Sequence, residues 1–241
     1  MTQEHHEHIS SVYDSELEKL GKQLAAMGGL AETQLDAAMD AVIRRDGDAA
    51  LAIKDKDREI DALEKETEAL VVRMLALRQP VANDLRMVVS TLKTASDLER
   101  IGDYAKNIAK RASVLAQLPA TPSTAVIGRL GRLVQQLLKD VLDAYLQRDL
   151  AKATAVWEAD AEVDALYTAV FRELLTYMME DARNITACTH LLFIAKNLER
   201  IGDHATNIAE TLRFLVSGQP FEERRPKDDA SNYAIVEPKG A

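Results

Sequence analysis

Apolar residues recur at spacings of three and four over most of the chain. Six such stretches cover residues 11–45, 48–79, 81–116, 123–148, 150–180 and 183–216. This spacing places the apolar side chains on one face of a helix, and no strand-like alternation stands out. The breaks fall at Gly47 with its acidic neighbours and at Pro80, which cannot donate a hydrogen bond inside a helix. The pattern therefore predicts an all-α protein with six long helices.

The predicted helices form two groups of three, because one segment occurs twice. Residues 97–109 read DLERIGDYAKNIA, and residues 197–209 read NLERIGDHATNIA. The two copies differ at three positions: Asp97/Asn197, Tyr104/His204 and Lys106/Thr206. Such identity among polar residues indicates an ancestral duplication. We therefore predict two tandem, pseudo-symmetric three-helix bundles.

Prolines and polar segments mark the ends of these two bundles. Pro119 and Pro122 interrupt the helical periodicity between them, and the chain after Gly218 becomes polar and contains several prolines. The predicted organisation is an N-terminal tail (1–10), a first three-helix repeat (11–117), a linker (118–123), a second three-helix repeat (124–217) and a flexible C-terminal tail (218–241).

Composition narrows the class of protein. Of the 241 residues 47% are hydrophobic but only 5% are aromatic, which is typical of a helical bundle. The net charge of -9 argues against nucleic-acid binding, because a phosphate backbone would be repelled. No stretch is long and apolar enough to insert into a membrane. The single Cys188, which we interpret as a small core residue, suits a reducing compartment, so we expect a cytoplasmic protein.

Acidic residues occur at helical spacing in both halves. Each half has two pairs of acids four residues apart, which places each pair on one stripe of a helix. The pairs are Asp57/Asp61 and Glu99/Asp103 in the first half, and Asp160/Asp164 and Glu199/Asp203 in the second. The apolar residues occupy a different stripe, so the carboxylates are expected to face outward or sideways.

Four carboxylates on two adjacent helices can converge on one patch and would then need positive charge. This donor set suits hard cations such as Mg, Ca, Mn or oxidised Fe. Zinc is disfavoured, because no His or Cys joins the group. Two alternatives remain open at this point: a solvated acidic surface, and neutralisation of the acids by Arg100 and Arg200.

Motifs for catalysis are missing. The chain has no Gly-x-x-x-x-Gly-Lys-Ser/Thr nucleotide loop and no candidate Ser/His/Asp triad. None of its five histidines follows a Glu by three residues, as in di-iron bundle enzymes. The histidine-rich beginning, residues 4–8, precedes the first periodic stretch and is interpreted as tail. An enzymatic function is therefore disfavoured.

The repeated Leu-Glu-Arg-Ile-Gly-Asp motif followed by Asn-Ile-Ala resembles the PhoU phosphate-signalling regulators of bacteria. The segment from Arg78-Gln79-Pro80 to Asp84-Leu85-Arg86, which enters the third predicted helix, is also similar to this family. The resemblance covers about residues 10–217 and implies two three-helix bundles that bind multinuclear metal clusters. Its metal-binding acids correspond here to Glu99, Asp103, Glu199 and Asp203, with Asp57, Asp61, Asp160 and Asp164 as expected partners.

The resemblance also implies a cytoplasmic regulator that represses the phosphate-starvation response when phosphate is plentiful. Its expected partners are the ATPase subunit of the phosphate ABC transporter and a membrane sensor histidine kinase, and we also expect a homodimer. One departure is that residues 184–186 of the second half read Asn-Ile-Thr where the first half has Asp-Leu-Arg. The alternative is a metal-dependent enzyme or a metal-storage protein that uses the same carboxylates.

Overall fold

The computed structural model describes residues 2–119 and 124–221. These residues form six α-helices and no strand, so the predicted all-α fold is confirmed. The helices are α1 (Thr2–Arg44), α2 (Gly47–Arg78), α3 (Ala82–Leu115), α4 (Thr124–Gln147), α5 (Leu150–Glu180) and α6 (Ile185–Ser217), with a 3₁₀ turn at Ala182–Asn184. Residues 2–10, expected as a tail, lie in α1. The side chains of the histidine-rich beginning and most of the predicted C-terminal tail lie outside the described part.

The turn between α1 and α2 has the same construction as the turn between α4 and α5. Asp46 and Asp149 cap the two following helices: the Asp46 side chain accepts a hydrogen bond from one backbone N–H group of the first helical turn, and the Asp149 side chain accepts from two. Each Asp follows an arginine with positive φ, 57° at Arg45 and 55° at Arg148. A side-chain cap of this kind stabilises a helix by about 1 kcal/mol. The duplication is therefore visible in the turns as well as in the motif.

Helices α3 and α6, which carry the two copies of the motif, pack against each other at the centre of the protein. α1 and α2 complete the first bundle around α3, α4 and α5 complete the second around α6, and α1 also contacts α4. One apolar core runs through both halves and includes Leu98, Ile101, Leu198 and Ile201 of the motif. The two bundles are therefore parts of one packed unit.

The single cysteine is a core residue. Cys188 is fully buried in the core, as its interpretation as a core residue predicts. In the part of the chain that the structure describes, no helix has the combination of length and apolar character that a membrane span requires.

Gly102 lies at a close approach between α2 and α3. A Cβ atom added there would lie 2.9 Å from Cδ1 of Ile60, which is fully buried. Overpacking of this kind costs about 1–3 kcal/mol, whereas alanine gains about 1 kcal/mol of helix propensity over glycine. Gly102→Ala should therefore lower the free energy of unfolding, measured by urea denaturation.

Gly29→Ala provides the matched control. No atom lies within 4 Å of a Cβ at Gly29, so this variant should gain about 1 kcal/mol of stability. If Gly102→Ala raises the free energy of unfolding as much as Gly29→Ala does, then the close approach of Ile60 is not the reason why residue 102 is a glycine.

Candidate metal-binding site

The acidic pairs of each half lie on helices that pack against each other. In the first half one pair is on α2 and the other on α3, and in the second half the pairs are on α5 and α6. Contacts join the pairs across both helix interfaces: Lys106 of α3 reaches Asp57 of α2, and Thr206 of α6 reaches Asp160 of α5. The packing therefore brings the predicted acids of each half to one interface.

These carboxylates were predicted to face outward or sideways, and five of the eight do not face outward. Asp57, Asp160, Asp164, Glu199 and Asp203 are only 2–8% exposed. The other three, Asp61, Glu99 and Asp103, are partly exposed. The reason is that the helices carrying these five acids each pack against at least two others: α2 contacts α1 and α3, α5 contacts α4 and α6, and α6 contacts α3, α4 and α5. Their neighbours therefore cover part of the polar stripe as well as the apolar one.

In the first half a lysine stands between the two acidic helices. Lys106 Nζ donates to Asp103 Oδ1 at 2.5 Å and also to Asp57 Oδ2. Burial by itself would lower the pKa of Lys106, but the hydrogen bonds to Asp103 and Asp57 outweigh it and raise the pKa. Gln34 of α1 donates to Asp57 Oδ1 at 3.2 Å. Both oxygens of Asp57 therefore accept hydrogen bonds from protein side chains.

In the second half a threonine takes the place of this lysine. Thr206 Oγ1 lies 3.2 Å from Asp160 Oδ1 and 3.1 Å from the Gly202 carbonyl oxygen, within hydrogen-bond distance of both. The hydroxyl is fully buried and carries no charge. The position that holds a cation in the first half is thus neutral in the second.

Glu199 has a buried oxygen without a hydrogen bond. Its Oε1 accepts from Lys196 at 2.9 Å, whereas Oε2 is buried and has no hydrogen-bond partner among the described residues. Arg200 Nε lies 3.8 Å from Oε2. Burial raises the pKa of Glu199, the hydrogen bond from Lys196 opposes this rise, and the charge of Asp203 adds to it. A buried acceptor left unsatisfied costs about 1–3 kcal/mol, so a cation at Oε2 would be favourable.

The two arginines of the motif lie beside its acids, as the neutralisation alternative requires. Arg100 Nε is 3.4 Å from Glu99 Oε2, and Arg100 Nη1 is 3.6 Å from Asp103 Oδ2. Arg200 makes the equivalent contacts at 3.8 and 3.6 Å. Both side chains are more than half exposed, and exposed ion pairs contribute at most about 1 kcal/mol. The arginines therefore reduce the repulsion between the acids.

The side chains as placed do not form a finished metal site. Among the described residues, no group of three or more His, Cys, Asp and Glu side chains is arranged to hold an ion. Binding would require local rotation of the acids and displacement of their present partners. In the second half those partners include Lys196 and Arg200, whose side chains are 36% and 51% exposed, and Lys196 Nζ also lies 4.9 Å from the centre of the Tyr167 ring of α5. The Lys106 side chain is only 19% exposed.

Sequence reasoning missed two residues of this region, Lys106 and Gln34. The Lys106/Thr206 difference is visible when the two copies are aligned, but a lysine three residues after Asp103 looks like an ordinary surface partner on the same helix. Gln34 belongs to no motif and reaches Asp57 from a third helix. No sequence signal indicated its role, because that role depends on how α1 packs.

Glu99 provides a test of the electrostatics in the first half. Burial raises its pKa to about 7, Asp103 adds to the rise, and Arg100 opposes it. The folded protein therefore holds this proton more tightly than the unfolded chain does, and it loses the associated stability as the pH rises from about 4.5 to 7. Without metal, the stability advantage of Glu99→Gln over wild type should grow by about 1–3 kcal/mol between pH 5 and pH 8.

Urea denaturation in the presence of a chelator at the two pH values measures this change. Glu59→Gln, at an exposed position of α2, is the control and should show almost none of it. If the stability difference between Glu99→Gln and wild type is the same at both pH values, the pKa of Glu99 is not raised by folding.

Comparison with known proteins places the whole repeat architecture in one family. The family model described as the PhoU domain matches this chain twice, over residues 24–112 and 127–212. A phosphate-specific transport system accessory protein PhoU homolog of Caulobacter vibrioides (strain NA1000 / CB15N) is 53% identical over 224 residues, covering 92% of this chain and 97% of that protein. The homolog of Xylella fastidiosa (strain Temecula1 / ATCC 700964) is 52% identical over 236 residues, covering 98% of each chain.

Solved structures agree with the sequence comparisons. The crystal structure of PhoU from Pseudomonas aeruginosa superposes with a TM-score of 0.84 at 40% identity and covers 86% of this chain and 100% of that one. The phosphate transport system regulatory protein PhoU from Streptococcus pneumoniae gives a TM-score of 0.79 at 30% identity, covering 88% of this chain and 100% of that one. The similarity thus extends over both halves.

Proposed function

Because the chain belongs to the PhoU family, we propose that it is a cytoplasmic negative regulator of the phosphate-starvation response. The family consists of regulatory accessory proteins of phosphate transport rather than enzymes. The observation that carries the proposal is the family match to both halves, supported by near-complete coverage of the relatives. We propose that the protein acts by contact, as a homodimer that links the ATPase subunit of the phosphate ABC transporter to a sensor histidine kinase.

We further propose that the protein binds an oxygen-ligated, multinuclear metal cluster of Fe, Mn, Mg or Ca at its acidic pairs. The ligands would come from Glu99, Asp103, Asp57 and Asp61 in the first half, and from Glu199, Asp203, Asp160 and Asp164 in the second. The buried Oε2 of Glu199 supports this proposal, since it makes no hydrogen bond, Arg200 Nε is 3.8 Å away, and a cation could bind it more closely. Bound metal would contribute positive charge and hold two helices together.

The regulatory proposal is tested by deleting the gene in its own bacterium. Loss of the protein should activate phosphate-starvation genes at high phosphate, and additional loss of the sensor kinase should abolish that activation. Unchanged expression at high phosphate would contradict the proposal.

Partner binding is tested with purified protein. The tagged chain should retain the ATPase subunit or the kinase from a membrane extract, and more weakly at high salt, because its net charge of -9 favours basic patches on a partner. Light scattering should give the mass of a dimer. Retention of neither partner, together with turnover of a phosphate compound that Glu199→Gln abolishes, would favour a metal-dependent enzyme.

A further inference from the structure

We propose that the outer end of the first bundle unfolds locally, as a unit of its own, while the rest of the protein stays folded. The outer end consists of residues 13–20 of α1 and residues 70–78 of α2. Its inner boundary is a layer of buried polar side chains that divides the apolar core of the first bundle in two. The core of the second bundle is continuous, so this device belongs to the first half alone.

Two separate apolar clusters make up the core of the first bundle. The larger one continues into the second bundle and includes Leu24 and Leu98. The smaller one lies at the outer end and the start of α3, and its buried members are Leu20, Leu70, Val71, Met74 and Val88. A segment held by few buried apolar contacts unfolds locally at a lower free energy than a segment of the main core. The outer end is therefore the weaker part of the bundle.

Polar residues occupy the level between the two clusters on all three helices. Gln23 of α1, Thr67 of α2 and Ser90 of α3 are at most 6% exposed, and each stands between members of the two clusters along its helix. Gln23 Oε1, Thr67 Oγ1 and Ser90 Oγ are buried and make no hydrogen bond with the described residues. Such atoms destabilise the folded state, and they become hydrated when the helices part. The layer therefore favours unfolding at this level of the bundle.

The second half has aliphatic side chains at two matching positions. The duplicated caps and acidic pairs align α1 and α2 with α4 and α5 at an offset of 103 residues. Gln23 then corresponds to Val126, and Thr67 corresponds to Val170. Both valines are buried in the core that runs through the second bundle. The first half thus has polar side chains at positions where the second half has ordinary core residues.

The second bundle ends short of the outer end. α4 runs antiparallel to α1 and places Leu142 against Gly28. Since α4 ends at Gln147, five residues further on, its last turn lies level with Gln23 of α1. Among the described helices, α2 packs against α1 and α3, and α1 packs against α2, α3 and α4. The support of the outer end therefore comes from α3 and from its own two segments.

Ion pairs couple the two segments of the outer end to each other. Glu16 of α1, whose side chain is 9% exposed, pairs with Arg73 of α2 and with Arg78 Nε at 3.2 Å. All three residues belong to the outer end, so each segment loses part of its support when the other unfolds. We therefore expect the two segments to unfold in one cooperative step.

Native-state hydrogen exchange of the full-length protein, followed by mass spectrometry at increasing urea and constant pH, tests the inference. Residues 13–20 and 71–78 should exchange with one common urea dependence, and at least about tenfold faster than residues 101–112 of the main core. Residues 173–180, the last eight of α5, control for fraying of helix ends, because residues 71–78 are the last eight of α2. They should exchange more slowly than residues 71–78. Equal exchange of these two helix ends, or a different urea dependence of the two outer segments, would overturn the inference.

Two threonine variants test the role of the polar layer. Thr67→Val removes one buried hydroxyl and should slow the exchange of both outer segments by about tenfold. Thr168→Val is the matched control, because Thr168 Oγ1 of α5 is also buried without a hydrogen-bond partner among the described residues. This control should leave the exchange of the outer end unchanged.

The polar layer is not the boundary of a separate unit if Thr67→Val leaves the exchange of the outer end unchanged, or if Thr168→Val slows it as much. Either result overturns the inference. If Thr67→Val does not fold, the wild-type comparison of residues 71–78 with residues 173–180 decides alone.

Discussion

Replacing Lys106 by methionine is expected to lower the free energy of unfolding of the metal-free protein by about 3–5 kcal/mol, because it leaves a buried carboxylate without its counter-charge. That carboxylate belongs to Asp57, which is 4% exposed and is bound by Lys106 through Oδ2. Methionine keeps most of the length and apolar contact of the lysine stem, so the loss reports mainly on the charge. Urea denaturation in the presence of a chelator measures it.

A second substitution separates the charge effect from packing. Adding Asp57→Asn to Lys106→Met removes the unpaired charge and should recover a large part of the lost stability. Lys110→Met, at an exposed position of the same helix, is the control and should change stability by less than about 0.5 kcal/mol. If Lys106→Met costs no more than this control, the lysine is not an essential part of the interface.

Removing the Asp97 carboxylate is expected to weaken the contact between the two halves by about 2–3 kcal/mol. Its Oδ1 accepts from His204 Nδ1 at 2.8 Å and from Asn207 Nδ2 at 3.3 Å, so one side chain of α3 binds two of α6. Hydrogen bonds to a charged group contribute about 1.5–3 kcal/mol each, less where the site is partly open to water. Asp97→Ala should therefore unfold at a clearly lower urea concentration.

A double-mutant cycle with His204→Ala distinguishes this contact from general destabilisation. The combined variant should lose less stability than the sum of the two single losses, because both remove the same hydrogen bond. Asn197→Ala changes the matching position of the second copy and should cost less than Asp97→Ala. Additive losses in the cycle would show that Asp97 and His204 do not act as a pair.

The helices were predictable from the sequence because their signals are local. The stretch predicted as 48–79 forms α2 at Gly47–Arg78, and the stretch predicted as 150–180 forms α5 at Leu150–Glu180. Apolar spacing, N-cap residues and prolines act within a few residues of chain, so each helix carries its own start and end signals. The duplication was equally readable, since it requires only that two segments be aligned.

The burial of the acids was not predictable from the sequence, because it depends on contacts between helices rather than on local signals. Periodicity describes one helix with one buried face, whereas α5 contacts α4 and α6, and α6 contacts α3, α4 and α5. Which polar stripe becomes covered depends on how many neighbours a helix has, and no single helix contains that information. This is why Asp160 and Glu199, which were expected to face outward or sideways, are buried.

The three differences between the two motif copies show most clearly which information is in the sequence and which is only in the folded structure. Alignment identifies them but assigns none of them a role. In the folded protein His204 bonds to Asp97 and lies 5.7 Å, ring centre to ring centre, from Tyr104. Lys106 pairs with Asp57, forty-nine residues earlier in the chain. Local spacing determined the helices and the repeated motif, whereas the asymmetry of the two halves was decided by tertiary packing, because the contacts of His204 with Asp97 and Tyr104 and of Lys106 with Asp57 join residues from different helices.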